Sequence, residues 1–382
     1  MKFLYVTCAV VEKVGNEYYN NALATSIPRY KQFAHELIVA CYIKDVQIPT
    51  SEKVPMHGIQ LVELKKINTL KGLFFDFSKN EHVLKSILPN VDGCICHVPA
   101  REAILTARIA LSYKIPSLLV VIGCPWDAYW NLGIRGKCLA IVEYYKLRQV
   151  MNLSTHSIYV TDRFLQKRYP TRGKCIGCSD VSLMAFSENV LYNRIKRIQV
   201  LKTIKIGTLA AVDVPYKGQR KVIKALAMLA NEGLDYEYHL AGNGDQSKLQ
   251  EYAKKLGVFD KVIFHGGIPH ERVTDFLDQI DIYIQPSDVE GLPRALVEAM
   301  SRACPAIGSN VGGIPELLPE DMLFQKKDIK GICKCLKMLT PERMLCDAKR
   351  NFYRSKDFDS DKLSQKRYDF INQFLEDYRL IR

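Results

Sequence analysis

No stretch of the 382 residues approaches the roughly eighteen consecutive apolar positions that a membrane-spanning helix needs, so no such span is expected. The opening run MKFLYVTCAVV lacks a small-residue cleavage site and leads into VEKVGNEYY, which suits a first buried strand better than a secretory leader. A cytoplasmic location is expected, with the inner face of the membrane as the surface its charge would favour. Repeats and low-complexity segments are missing. So is a long basic tail: the cations come as short clusters, KLRQ at 146–149, RFLQKRYPTRGK at 163–174 and RIKR at 194–197. With no clustered aromatic-and-basic motif and no recognisable binding module, a nucleic-acid-binding protein is the weaker reading and no nucleic-acid partner is expected. A second CxxC to accompany Cys175 and Cys178 is missing too, and no His pair at finger spacing follows them, so a zinc or redox centre is not expected.

What is present is ordinary for a folded protein: 48% hydrophobic and 25% charged residues. A chain of this length exceeds one average core, and two domains are the natural division. The 12 cysteines are scattered, several of them in apolar strand-like runs (Cys8, Cys41, Cys96), and read as reduced thiols. A formal charge of +13 points to an anionic partner, either an acidic membrane surface or a phosphorylated small molecule, although a solvated basic face would account for it as well.

The first half alternates short apolar runs with helical patterns: KFLYVTC, ALATSIPRYKQFAH, ELIVACYI, IQLVEL, CICHV, REAILTARIALSY, PSLLVVIG and SIYVTD. Such alternation indicates a parallel sheet covered by helices on both faces, an α/β doubly wound domain. After GKCIGCSDVSLMAF the same grammar restarts with KTIKIGTLA, QRKVIKALAMLANEG, EYHLAG, KVIFHG, DIYIQP, PRALVEAM and PAIGS. Two domains follow, 1–180 and 181–360. The charged amphipathic stretch at 361–382 is long enough to leave the second domain and pack back across the first.

Ligands of open parallel sheets bind beyond the carboxyl ends of strands, and two such sheets facing each other make a cleft. Four loops of the second half qualify: AVDVPYKGQRK with Lys217 and Gly218, NGD with Gly242 and Gly244, GIP with Gly267 and Ile268, and SDVEGLPRALVE. Pro293 suits the first helical position, which leaves Glu290 in the preceding loop and Glu298 in the second turn, with unpaired amides between the two carboxylates. Each feature has a bland counterpart: Lys217 as a solvated lysine, GNG as a simple turn, Glu298 on an amphipathic surface. Their co-occurrence on successive loops suits a sugar diphosphate.

The stretch DIYIQPSDVEGLPRALVEAMSRACPAIGSNVGGIPELL resembles the E-x7-E block and Gly-Gly-x-Pro-Glu segment of the retaining GT-B glycosyltransferases of glycosyltransferase family 4. KIGTLAAVDVPYKG and EYHLAGNGD resemble that family's two earlier donor-domain motifs. The resemblance implies a GT-B fold, two Rossmann-like domains facing across a cleft with a C-terminal helix crossing back to the N-terminal one. It implies transfer of a sugar, with retention, from a nucleotide-diphosphate-sugar to a saccharide or lipid-linked saccharide, as in surface polysaccharide or glycolipid assembly. A GT-B nucleotide-sugar epimerase is the alternative. The nucleotide sugar would be a substrate, UDP-sugar favoured over GDP-sugar, with no separate cofactor and no metal.

By the same resemblance Glu298 would take the ribose hydroxyls, while Glu290 and the backbone of Gly291, Leu292 and Pro293 would hold the transferred sugar. Lys217 beside Gly218 would pair with the diphosphate, Gly15 would let the first domain close on it, and Gly267 and Ile268 would lie near the base. Two departures stand out. Gly207-Thr208 replaces the family's frequent Gly-Arg, leaving Arg294, Arg220 or another group to supply the missing cation. CPWDAYW stands where a histidine is common, making Asp127 the nearest polar group for the sugar. His97 reads as a satisfied strand-end histidine, and the DFD at 357–359 lies too far along the chain to act as a metal-binding D-x-D.

Overall fold

A computed structural model describes residues 1–66, 77–181, 183, 186–201 and 203–381. The chain divides into two units, one made of Met1–Gly177 with Phe370–Arg382 and the other of Cys178–Asp369. Positions 182, 184 and 185 of the expected linking stretch lie outside the described residues.

In the first unit the apolar runs become strands because they can be buried on both faces, as Phe3 to Val6 and Leu118 to Val121 are. Among the described residues the sheet runs Ile59–Glu63, Glu36–Asp45, Lys2–Val14, Gly93–Val98, Ser117–Val121, His156–Tyr159, Lys174–Gly177, with every one of these pairings parallel. Chain order therefore proceeds outward one way from the first strand and then the other way. That reversal defines a doubly wound sheet, and the crevice it leaves lies between the strands Lys2–Val14 and Gly93–Val98. The first strand continues past an irregularity between Val6 and Val10, then folds back as an antiparallel hairpin onto Glu17–Tyr19.

The second unit repeats the plan. Its described strands run Val262–Gly266, Tyr236–Ala241, Ile204–Leu209, Ile282–Gln285, Ala306–Ser309, Leu323–Phe324, all parallel, with the reversal between Ile204–Leu209 and Ile282–Gln285. The helix Gln219–Ala230 buries Val222, Ile223, Leu226 and Leu229, a stripe at helical spacing that packs on the sheet core. Both units are thus parallel-sheet α/β layers, the architecture read from the alternating pattern.

The helix Ser360–Ile381 serves both units in succession. Early on, Leu363 O accepts from the Cys178 thiol and the Arg367 guanidinium donates to Ser179 O at 2.8 Å. Later, Phe374 meets the ring of Phe3, and Asp377 accepts from His156 Nε2 at 2.9 Å and Lys174 Nζ at 2.6 Å. Among the described residues no helix is long and apolar enough to cross a membrane.

Candidate functional site

The reversal point of the second sheet brings the loop after Ile204–Leu209 beside the loop after Ile282–Gln285, so that Lys217 and Glu290, 73 residues apart in sequence, are neighbours in space. Their contact is close and specific. Gly218 has φ +82°, and a Cβ there would stand 2.1 Å from Pro286 O, so only glycine lets the two backbones meet. Asp288 N–H donates to Tyr216 O at 2.7 Å. Side chains bridge the same gap: Lys217 Nζ lies 2.7 Å from Glu290 Oε1 and Lys221 Nζ 2.7 Å from Asp288 Oδ1.

Glu290 is held from below as well. Buried Gln285 donates through Nε2 to Glu290 Oε1 at 3.0 Å and to Ser287 Oγ at 2.9 Å, while its Oε1 accepts from the Tyr283 hydroxyl at 2.9 Å. The backbone behind Glu290 is fixed by the Gly-Gly turn: a Cβ on Gly312, at φ +58°, would stand 2.2 Å from Glu290 O, and Gly313 N–H donates to Gly291 O at 2.6 Å. The Glu290 side chain is therefore held by two contacts on Oε1, and its backbone by the Gly-Gly turn.

From this loop the chain enters the helix Arg294–Ser301. Pro293 is the N-cap rather than the first helical residue, a difference of one position, and it offers no side-chain cap. The first amides of the helix, with its positive dipole end, consequently have no capping group. Half-buried Gly291 and Leu292 line the approach. Glu298, one turn further along, has no protein partner for its carboxylate among the described residues. Its charge and that of Glu290 both act on Tyr283, whose phenol is pushed up by burial first and then by these two carboxylates. Both acids thus lie near one buried tyrosine.

Two further loops complete the carboxyl edge. A Cβ on Gly242 would stand 2.0 Å from Ala210 O, and one on Gly244 2.4 Å from Asp213 Oδ1, so the GNG turn has a structural reason for its glycines. Gly267 abuts Asn243, where a Cβ would stand 1.7 Å from Oδ1, and Ile268 lines a recess with His265, Arg272 and Phe276. Loops 266–268, 242–244, 210–218, 286–293 and 309–313 form one continuous rim.

The position occupied by Thr208 is not on that rim. Its side chain is wholly buried, donating to Ile284 O at 2.9 Å and accepting from the Tyr238 hydroxyl at 2.8 Å. Of the two arginines named to replace a missing cation there, Arg220 stacks on the Tyr252 ring at 3.9 Å, whereas Arg294 is exposed and has no protein partner among the described residues. Sequence reasoning missed Asp288, Lys221, Gln285 and Ser287. Lys221 had a faint signal, one helical turn after Lys217; Gln285 had none, because an apolar strand context hides a polar residue that works from the core.

Gly15 and Asp127 belong to the first unit. Gly15 sits at the tip of the two-residue hairpin that joins Val14 to Glu17, where its φ of +58° meets the demand of the turn and open space surrounds it. Asp127 lies in the short helix Pro125–Trp130 that follows the strand Ser117–Val121, 3.6 Å from Arg168. Beside it Trp126 and Trp130 stack with centroids 4.6 Å apart. His97 is satisfied on both ring nitrogens, by Tyr5 at 3.2 Å and Tyr30 at 2.8 Å. The DFD aspartates have structural tasks: Asp357 pairs with Arg354, and Asp359 accepts from the amides of Asp361 and Lys362.

The rim of the second unit therefore presents a helix start without a side-chain cap, two lysines bridged to carboxylates and, among the described residues, an arginine and a glutamate with no protein partner. Residues 196–336 match the family described as Glycosyl transferases group 1. Protein CapJ of Staphylococcus aureus is 32% identical over 345 residues, 88% of this chain and 85% of its own. The lipopolysaccharide 1,6-galactosyltransferase of Escherichia coli K12 is 27% identical over 157 residues, 38% of this chain and 44% of its own. Among solved structures, HepE of Anabaena in complex with UDP and glucose superposes with a TM-score of 0.66 at 16% identity, over 97% of this chain and 99% of its own.

Proposed function

The chain belongs to the group 1 glycosyl transferases and has the GT-B fold, and from that premise we propose that it is a retaining enzyme of glycosyltransferase family 4. It moves a sugar from a nucleoside-diphosphate donor to a saccharide or lipid-linked saccharide on the cytoplasmic side. The observation that carries this reading is the Lys217–Glu290 bridge across the sheet reversal, placed directly before an uncapped helix start. UDP is the favoured nucleotide, because HepE, of like fold, is known with UDP and glucose. Lipopolysaccharide chemistry in a relative supports an acceptor of the surface-saccharide type.

In this reading the donor diphosphate lies against Lys217, Arg294 and the backbone N–H groups of Leu292, Arg294 and Ala295. Glu298, with both oxygens open, accepts the two ribose hydroxyls. Glu290 accepts hydroxyls of the transferred sugar once Lys217 turns from it toward phosphate, while Gln285 keeps the carboxylate in place. Gly267 and Ile268 flank the base.

The demanding step is cleavage of the bond between the anomeric carbon and the phosphate oxygen, which leaves an oxocarbenium-like centre. Fixed cations and amides aimed at the departing phosphate stabilise the charge that develops there, and no rearrangement is needed at that moment. The acceptor hydroxyl attacks from the vacated face and gives its proton to a phosphate oxygen. The new glycosidic bond then has the configuration of the old one, without a covalent enzyme intermediate and without a metal.

Thermal unfolding with UDP-, GDP- and ADP-sugars, beside a Glu298→Ala variant, tests the donor site. A ligand that binds the native state raises the melting temperature, so a rise with a UDP-sugar that disappears in the variant is expected. No rise with any donor at saturating concentration would overturn the assignment.

A further inference from the structure

The helix Gly133–Leu153 has an unusual distribution of apolar residues. Its inward face, Gly136, Ala140, Glu143, Leu147, Val150 and Met151, is buried in the first unit. Half a turn away a second apolar stripe, Ile134, Cys138, Ile141, Val142 and Tyr145, recurs at the spacing of a single helix face and is exposed, Ile134 by 83% and Tyr145 by 66%. Trp130 and Leu132, the latter 66% exposed, extend the apolar surface into the segment before the helix. From Ile134 to Tyr145 the stripe covers about 17 Å of helix axis.

Charge frames the stripe on both sides. Arg135 and Lys146 fall along one flank and Lys137 and Arg148 along the other, each pair about three turns apart. Lys137 lies over the Trp130 ring and Arg148 donates to the Tyr144 hydroxyl at 2.7 Å, so the cations rest beside apolar groups with long stems. The lone carboxylate of the helix, Glu143, is buried and ion-paired with Arg101 at 3.2 Å and with Lys146 at 3.6 Å, which leaves Arg135, Lys137 and Arg148 as the cations without an acidic partner on this helix. The outward face therefore holds an aliphatic stripe, cations on both edges and no acid.

We propose that this face is a docking surface for an anionic lipid bilayer. Aliphatic side chains enter the boundary between headgroups and acyl chains, the flanking lysines and arginines meet lipid phosphates, and Trp130 and Tyr145 are of the types that settle at headgroup depth. A second copy of the chain fits poorly, because self-pairing would bring cations against cations. The surface belongs to the first unit, and lipid binding by it needs no nucleotide sugar. It would hold the enzyme at the layer where a lipid-linked acceptor resides.

Cosedimentation with phosphatidylcholine vesicles and with mixed phosphatidylcholine–phosphatidylglycerol vesicles, without donor, tests the proposal. The wild-type protein is expected to bind the mixed vesicles and to release them at high salt. Ile134→Glu/Ile141→Glu is expected to weaken that binding roughly tenfold or more. Lys137→Ala/Arg148→Ala should remove the preference for anionic vesicles while leaving the melting temperature unchanged. Three outcomes would overturn it: no wild-type binding to the mixed vesicles, equal binding by the properly melting double-glutamate variant, or a wild-type dimer in solution that this variant dissolves. Because the vesicle assay contains no sugar nucleotide, it stands or falls separately from the donor-site experiment.

Discussion

Apart from the edge strand Lys174–Gly177 and the hairpin strand Glu17–Tyr19 of the first unit, the two sheets share one strand order, yet the polar groups at their carboxyl ends are employed differently. In the second unit Lys217, Lys221, Asp288 and Glu290 pair with one another across the reversal, while Glu298 and Arg294 have no protein partner among the described residues. In the first unit the corresponding level is closed upon itself: His97 is held between two tyrosines and Asp127 faces Arg168. The same contrast governs glycine. Gly218, Gly242 and Gly312 allow backbones to meet within a rim, whereas Gly15 only turns a hairpin in open space. One scaffold thus carries a rim of charges bridged between loops in one copy and a self-satisfied surface in the other.

The largest expected effect falls on that contrast directly. Lys217→Ala and Glu290→Gln should each slow sugar transfer about a hundredfold or more, as measured by acceptor-dependent release of nucleoside diphosphate, because both act where charge develops. Asp127→Asn should slow transfer by about tenfold or less, leaving the donor-induced melting shift intact. Equal losses in the two units would erase the difference in roles.

Glycine substitutions should give the next largest effect. Gly218→Ala combines a left-handed backbone with a collision against Pro286 O, and is expected to cost about 3 kcal/mol of stability in chemical denaturation. Gly15→Ala meets only the backbone penalty, about 1 kcal/mol. A Gly218 variant as mild as the Gly15 variant would show that the rim yields.

The smallest effect concerns acid. His156 in the first unit and His239 in the second are both lowered from the ordinary 6.5, each chiefly by burial, with Asp377 and Glu237 opposing. A lowered histidine binds fewer protons folded than unfolded, so stability is complete above the unfolded value and declines as pH falls below it. His156→Gln and His239→Gln should each flatten the loss of stability from neutral pH downward in denaturant titrations. A slope unchanged in both would place the acid sensitivity elsewhere.

Much of this was legible beforehand, for identifiable reasons. Strands such as SLLVV and IYIQ are short apolar runs between turn residues, and that pattern alone separates a doubly wound sheet from other architectures. The meeting of the loops at the carboxyl edge was legible because close backbone approach forces glycines at particular spacings, as at Gly218 and Gly312. The rest depended on distant contacts. Nothing local tells that Thr208 turns inward to Tyr238 rather than toward a ligand, or that Gln285 props Glu290 from beneath. The hairpin after the first strand was hidden for a similar reason: VGNE reads as a loop unless the strand is known to continue through Val14.

The helix Ser360–Ile381 has a bearing on how the protein is made. His156 is synthesised 221 residues before Asp377, its partner in the first unit. A ribosome delivers the strands of that unit early, and the helix residues that cover Phe3 and His156 arrive only after the whole second unit has been translated. The unit born first is therefore completed last. In the interval its uncovered patch around Phe3 is the surface that a chaperone would be expected to shield.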